Sequence, residues 1–177
     1  MGAYDGRRWL GSPPRANNGQ VPPPQEATFA PGSGARQHSS MPERQRIAAY
    51  GVCLDPKGRL LLARAAPWLT LRGSWFLPGG GVNHGEHPTD ALRREIEEES
   101  GLTVVTGPLL DILSDVRVMP DETSLHTVRM IYRVVSWSGT LRSELEGTTD
   151  LVQWFAKDEL AALPLAPYVE EVVTKFL

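Results

Sequence analysis

The chain has 177 residues, 41% hydrophobic and 22% charged, which is ordinary for a soluble globular protein and long enough for a full core. A net charge of −3 excludes general nucleic-acid binding through a basic surface, and a single cysteine excludes an internal disulfide framework. No segment has the apolar length to span a membrane, and no apolar run follows Arg7 and Arg8 as a secretory signal requires, so a cytoplasmic location is expected.

Residues 1–44 carry nearly half of the prolines and no hydrophobic period, and they read as a disordered Pro/Gly-rich tail, with Met41 an alternative translation start. The domain is expected over 45–177. "RIAAYGVCL" reads as a mostly buried strand, and Cys53 inside it as a structural thiol rather than a nucleophile. "DPKG" supplies turn chemistry, and "RLLLARA" is expected to pair back as a second strand. After the loop "APWLTLRG", the apolar "SWFLP" reads as a third strand that Pro78 ends.

The segment Pro88–Ser100 predicts a helix: Pro88 suits the first turn, where its missing N–H costs nothing, and Gly101 suits the left-handed cap. "LTVVTGPLLDILSDVRVM" and "LHTVRMIYRVVSW" predict strands joined through the polar "PDETS". The ending reads as a short helix, a Pro-bounded break and a terminal helix. Strands with helices at intervals argue for an α/β layered domain.

The helix carries the chemistry. At about 100° per residue, Leu92 and Ile96 form one apolar stripe, and Glu95, Glu98 and Glu99 converge on a strip beside it. Asp90, Arg93 and Glu97 point the other way. Carboxylates gathered this tightly repel, so one of them must hold a proton or a compensating cation must sit among them. Mg²⁺ or Mn²⁺ meets that need, because hard cations accept several carboxylate oxygens and also engage phosphates. The "PGGG" before the helix lets main chain approach a ligand closely. Arg94 is positioned to pair with Glu86 or Glu98 and hold loop to helix.

These residues resemble the Nudix box: Gly, five residues, Glu, seven residues, Arg-Glu, an aliphatic, any residue, Glu-Glu, any residue, Gly, an aliphatic. Gly80, Glu86, Arg94, Glu95, Ile96, Glu98, Glu99, Gly101 and Leu102 fill every defined place. A looser likeness runs over about residues 45–170, through "SWFLPGG" and "DLVQWFAKDELAALPL". The resemblance implies an α/β/α sandwich around a mixed β-sheet and metal-dependent hydrolysis of a nucleoside diphosphate linked to another moiety. It implies Glu95, Glu98 and Glu99 as metal ligands and catalytic carboxylates, the Gly80 carbonyl as a further ligand, and Glu86, Arg94 and Gly101 as structural members.

In some members a later acidic residue joins the metal, and Asp150 and Glu146 are the candidates here. Trp68 is a candidate for stacking on a base, and Arg64 and Arg72 for reaching phosphates, each weighed against plain surface or core roles. His84 and His87 read as solvated loop residues, His126 as a strand-surface residue, and Trp75, Phe76, Trp137 and Trp154 as core or edge aromatics. The expected partner is a small nucleotide substrate. Neither membrane nor general nucleic-acid binding is expected, and the resemblance admits a homodimer. The alternative to an enzyme is a Nudix module that binds a nucleotide as a sensor; its usual marks, eroded glutamates or an added DNA-binding domain, are not seen.

Overall fold

The computed structural model describes residues 41–69, 71–143 and 147–177. The Pro-rich segment as far as residue 40, and the candidate ligand Glu146, lie outside the described residues.

Among the described residues, seven strands and two helices make two small sheets with a helix on each side. Strands β1 (Glu43–Val52), β2 (Leu60–Ala65), β3 (Trp75–Phe76) and β4 (Gly79–Gly81) precede helix α1 (Pro88–Ser100). Strands β5 (Leu102–Val118), β6 (Ser124–Gly139) and β7 (Thr149–Phe155) follow, then a 3-10 turn at Leu160–Ala162 and helix α2 (Pro167–Phe176). One sheet has the order β4-β1-β6-β5 and the other β3-β2-β7. The pairing of β1 with β6 is parallel and that with β4 antiparallel, so the larger sheet is mixed.

Alternation along the strands divides the core. Ala48, Tyr50 and Val52 of β1 and Leu60 and Leu62 of β2 pack with Tyr168, Val169 and Val172 of α2. Ala49, Cys53, Leu61 and Ala63 pack with Leu92 and Ile96 of α1. Because successive side chains point to opposite faces, a strand buried on both sides reads as a continuous apolar run. This is the α/β/α layering that the resemblance implied. Burial also pushes the Cys53 thiol up to about 12, which suits a structural role.

Several local expectations are corrected. The first two strands pair only beside their turn: β1 and β2 belong to different sheets, and the chain between them closes through the bridge Leu54↔Leu60 and the Leu61 N–H donating to the Cys53 carbonyl at 3.0 Å. Both edges of β1 are taken by β4 and β6, which leaves no place for β2. The third strand is only Trp75–Phe76, and the glycines after it form strand β4 rather than a free loop. "TDLVQWF", left unassigned from sequence, is β7, and β1 starts at Glu43, before the expected boundary. The short C-terminal helix is a single 3-10 turn. Pro108 falls inside β5, where the register shifts between Thr106 and Leu109, an irregularity that accommodates its missing N–H. Among the described residues no helix is long and apolar enough to cross a membrane.

Candidate active site

Helix α1 starts and stops where its sequence directs. His87 is the N-cap, its Nδ1 accepting from the Thr89 N–H at 3.3 Å, and Pro88 opens the first turn. This cap went unread in the sequence because histidine is not among the usual capping residues. Gly101 closes the helix at φ 70° and returns its N–H to the Glu97 carbonyl. Ala91, Leu92 and Ile96 are buried, while Arg93 pairs with Asp90 at 2.6 Å on the exposed side, as the helical wheel required.

The three glutamates of the strip are graded in exposure. Glu99 is buried, only 6% exposed, and its Oε2 accepts from the Gly79 N–H at 2.9 Å. Glu95 is half-buried, and Glu98 is the most open, its side chain 52% exposed. Arg94 draws the group together. Its Nη1 donates to Glu95 Oε1 at 2.8 Å and to Glu98 Oε2 at 3.3 Å, its Nε and Nη2 clasp both oxygens of Glu86 at 2.9 Å, and Nη2 also reaches the Gly81 carbonyl at 3.1 Å. Arg94 thus supplies cationic compensation that the sequence reading had sought from a proton or a metal. Its bonds, with a further one from the Asn83 N–H, hold the Glu86 carboxyl down to about 2. Glu86, first of all, pushes the Arg94 guanidinium upward in return.

Strand β4 explains the glycines. A Cβ on Gly80 would stand 2.5 Å from the Glu95 carboxylate, so the missing side chain is the space that carboxylate occupies. Gly79, at φ 130°, would place a Cβ 2.3 Å from the Ala49 carbonyl oxygen. A strand without side chains therefore brings main chain against the carboxylates of α1, with the Gly79 N–H on Glu99 and Gly80 against Glu95. The donor set is wholly oxygen, the chemistry that hard divalent cations select. Among the described residues no three acidic, histidine or cysteine side chains are drawn to ligand spacing, and Arg94 Nη1 instead lies between Glu95 and Glu98.

The remaining candidates have other partners or are exposed. Asp150 gives both oxygens to Arg64, at 2.8 and 3.0 Å, tying β7 to β2, and Arg64 also lies 5.8 Å over the Trp75 ring. Either residue would have to leave this pair to serve a ligand. Arg72 is exposed on the β2–β3 loop and Trp68 is 66% exposed there. His84 is exposed and His126 half-buried. Trp75 stacks edge-on with Phe155 in the core, and Trp137 packs on Trp154. Sequence reading missed Arg46: its guanidinium lies 3.7 Å from the Cβ position of Gly81, and the signal was its alternation with Ala48 and Tyr50.

A family model, the NUDIX domain, matches residues 44–176. A MutT-like protein of Streptomyces ambofaciens is 29% identical over 125 residues, covering 71% of this chain and 73% of that protein. The 8-oxo-dGTP diphosphatase of Proteus vulgaris is 30% identical over 101 residues, 57% of this chain and 86% of that one. Among solved structures, a MutT NUDIX hydrolase from Burkholderia pseudomallei superposes with a TM-score of 0.66 at 27% identity, covering 76% of this chain and 99% of that one. A family match over most of the chain thus meets a layered fold and an intact set of box residues gathered at one helix and one glycine strand: the chain belongs to the Nudix family and is a hydrolase acting on pyrophosphate bonds.

Proposed function

We propose that the chain hydrolyses the pyrophosphate of a nucleoside diphosphate linked to another moiety (a nucleotide sugar, a nucleoside triphosphate or a dinucleotide) with Mg²⁺ or Mn²⁺ as cofactor. The carrying observation is the oxygen-only ledge of Glu95, Glu98 and Glu99 set against the side-chain-free strand at Gly80. Those carboxylates and the Gly80 carbonyl would hold the ion. When bound there, a divalent cation neutralises phosphate charge and lowers the pKa of a ligated water.

The protein's own groups divide the remaining work. Glu98, the most exposed of the three, accepts at a carboxylate oxygen the proton of the water that attacks phosphorus. Glu99, fixed by the Gly79 N–H, anchors the ledge to β4, and the Glu86–Arg94 clasp fixes the loop against the helix. Catalysis then rests on positioning and charge stabilisation, with no covalent nucleophile. The 8-oxo-dGTP diphosphatase relative supports a nucleotide substrate.

The test is a panel of nucleotide sugars, nucleoside triphosphates and dinucleotides with Mg²⁺ or Mn²⁺, scored for phosphate or phosphate-ester products. Cleavage between the two phosphates is expected for at least one class. Binding of nucleotides without any hydrolysis would replace this reading with the sensor.

A further inference from the structure

We propose that the face of the four-stranded sheet lying across β4 from the glutamates is an anion-binding surface, on which Arg46, flanked by Arg44 and Arg117, takes a phosphate that the substrate carries outside the cleaved pyrophosphate. This rests on the pyrophosphatase reading above and narrows its substrate class to nucleotides bearing an additional phosphate.

Register and packing define the face. Ala48, Tyr50, Leu113 and Ile131 all pack in the core on the α2 side. By alternation, the same side carries Arg44 and Arg46 from β1, Thr127 and Arg129 from β6, and Asp115 and Arg117 from β5. Across the strands Arg46 aligns with Thr127 and Thr127 with Asp115, while Arg44 aligns with Leu125 and Leu125 with Arg117. Arg129 is buried, its Nη1 held by Asp115 at 3.1 Å and its guanidinium 4.8 Å over the Tyr168 ring, which confirms the face. Arg44 and Arg46 also line an open cleft of about 510 Å³ with Met119, Pro120, Asp121 and Thr123.

Charge on this face leans positive. Four arginines stand against Asp115, Asp121 and, from α2, Glu171, in a chain whose net charge is −3. Among the described residues neither Arg46 nor Arg117 takes part in an ion pair, and both are exposed. The Thr127 hydroxyl, in the row between Arg46 and Asp115, is 2% exposed and has no hydrogen-bond partner, and the buried Nε of Arg129 has none either. A planar guanidinium with unspent donors on an exposed sheet face is a phosphate-accepting arrangement.

Proximity to the reaction comes from β4. The Cβ position of Gly80 meets the Glu95 carboxylate and that of Gly81 meets the Arg46 guanidinium, so three glycines separate the acidic ledge from the basic face. Arg44 lies two residues further along β1, about 7 Å away. A nucleotide whose pyrophosphate lies on the glutamate side can thus place a further phosphate over Arg46.

The experiment compares kcat/KM for matched pairs that differ by phosphate: NADP⁺ against NAD⁺, coenzyme A against dephospho-coenzyme A, and ATP against ADP, each with Mg²⁺. At least one pair is expected to favour its phosphorylated member about 10- to 100-fold, the worth of one or two charge-assisted hydrogen bonds. Arg46→Gln should collapse that ratio to near one, and Arg46→Lys should keep part of it. Arg46 is exposed, so unchanged melting temperatures serve as the folding control. Calorimetry with adenosine 2′,5′-bisphosphate against AMP gives the same comparison without turnover. Ratios near one in every pair, or a preference that survives Arg46→Gln, would overturn the proposal. If no pair is cleaved while the bisphosphate still binds preferentially through Arg46, the anion surface stands and the hydrolase reading fails for these linkages.

Discussion

At the scale of single residues, three glutamates on a turn and a third of helix are made unequal by their surroundings. Glu99 is bound into β4 and Glu98 faces solvent, so substituting the two tests different things. Glu98→Gln keeps shape and removes charge, and turnover should fall by at least about a hundredfold, comparable to loss of one key electrostatic group. Thermal unfolding should scarcely move. Wild-type turnover in this variant would remove Glu98 from the chemistry. Glu86 makes a pH prediction. Its folded pKa, about 2, lies below the usual 4.5, mainly through its bonds to Arg94, so its contribution to stability is complete above the usual value and is lost as pH falls towards 2. Urea midpoints followed from pH 5 down to pH 2 should decline in wild type, and the decline should be shallower in Glu86→Gln. Parallel curves would show that the clasp does not link protonation to folding.

At the scale of elements, β4 carries more of the design than its three residues suggest. Its neighbours predict opposite outcomes for adjacent substitutions. Gly80→Ala meets only the movable Glu95 carboxylate, so it should displace that group and cut turnover by about tenfold or more while the fold persists. Gly79→Ala meets the Ala49 backbone at a positive φ, and strain there should cost about 1–3 kcal/mol of stability. Melting temperature and turnover measured on both variants separate the two effects; equal melting temperatures would contradict the steric account. Sequence could not announce this strand, because glycine has low strand propensity and no side chain to show alternation. By contrast β7 went unassigned although Leu151, Val152, Trp154 and Phe155 are the residue types strands favour, because the nearby turn-like polar residues obscured them. Helix α1 was read almost to the residue, since Pro88 and Gly101 fix its ends by local chemistry.

At the scale of the whole molecule, the Arg64–Asp150 pair joins two strands 86 residues apart in sequence. Asp150→Asn should cost about 0.5–1 kcal/mol, the modest worth of a partly exposed pair, and should leave turnover within about threefold of wild type. A hundredfold loss with wild-type stability would instead place Asp150 at the metal. The two cores flanking the sheets hold this arrangement steady, with α1 presenting the acids on one side and α2 covering Arg129 but leaving Arg46 and Arg117 exposed on the other. The basic row could not be recognised along the chain. Arg46 lies 71 residues before Arg117 and Arg117 lies 12 before Arg129, and only strand register makes them neighbours.

The amino-acid order alone determined the local features: the capped helix, the spacing that puts Glu95, Glu98 and Glu99 on one strip, the match to the Nudix box, and the apolar runs of strands buried on both faces. These follow from periodicity and backbone preference, which act over a few residues. The tertiary structure alone decided which strands pair, how deeply each carboxylate is buried, that Arg94 bridges Glu95 and Glu98, and that a glycine strand divides acid from base. Those outcomes depend on contacts between distant segments, whose energies are set by packing and register rather than by any residue's own tendency.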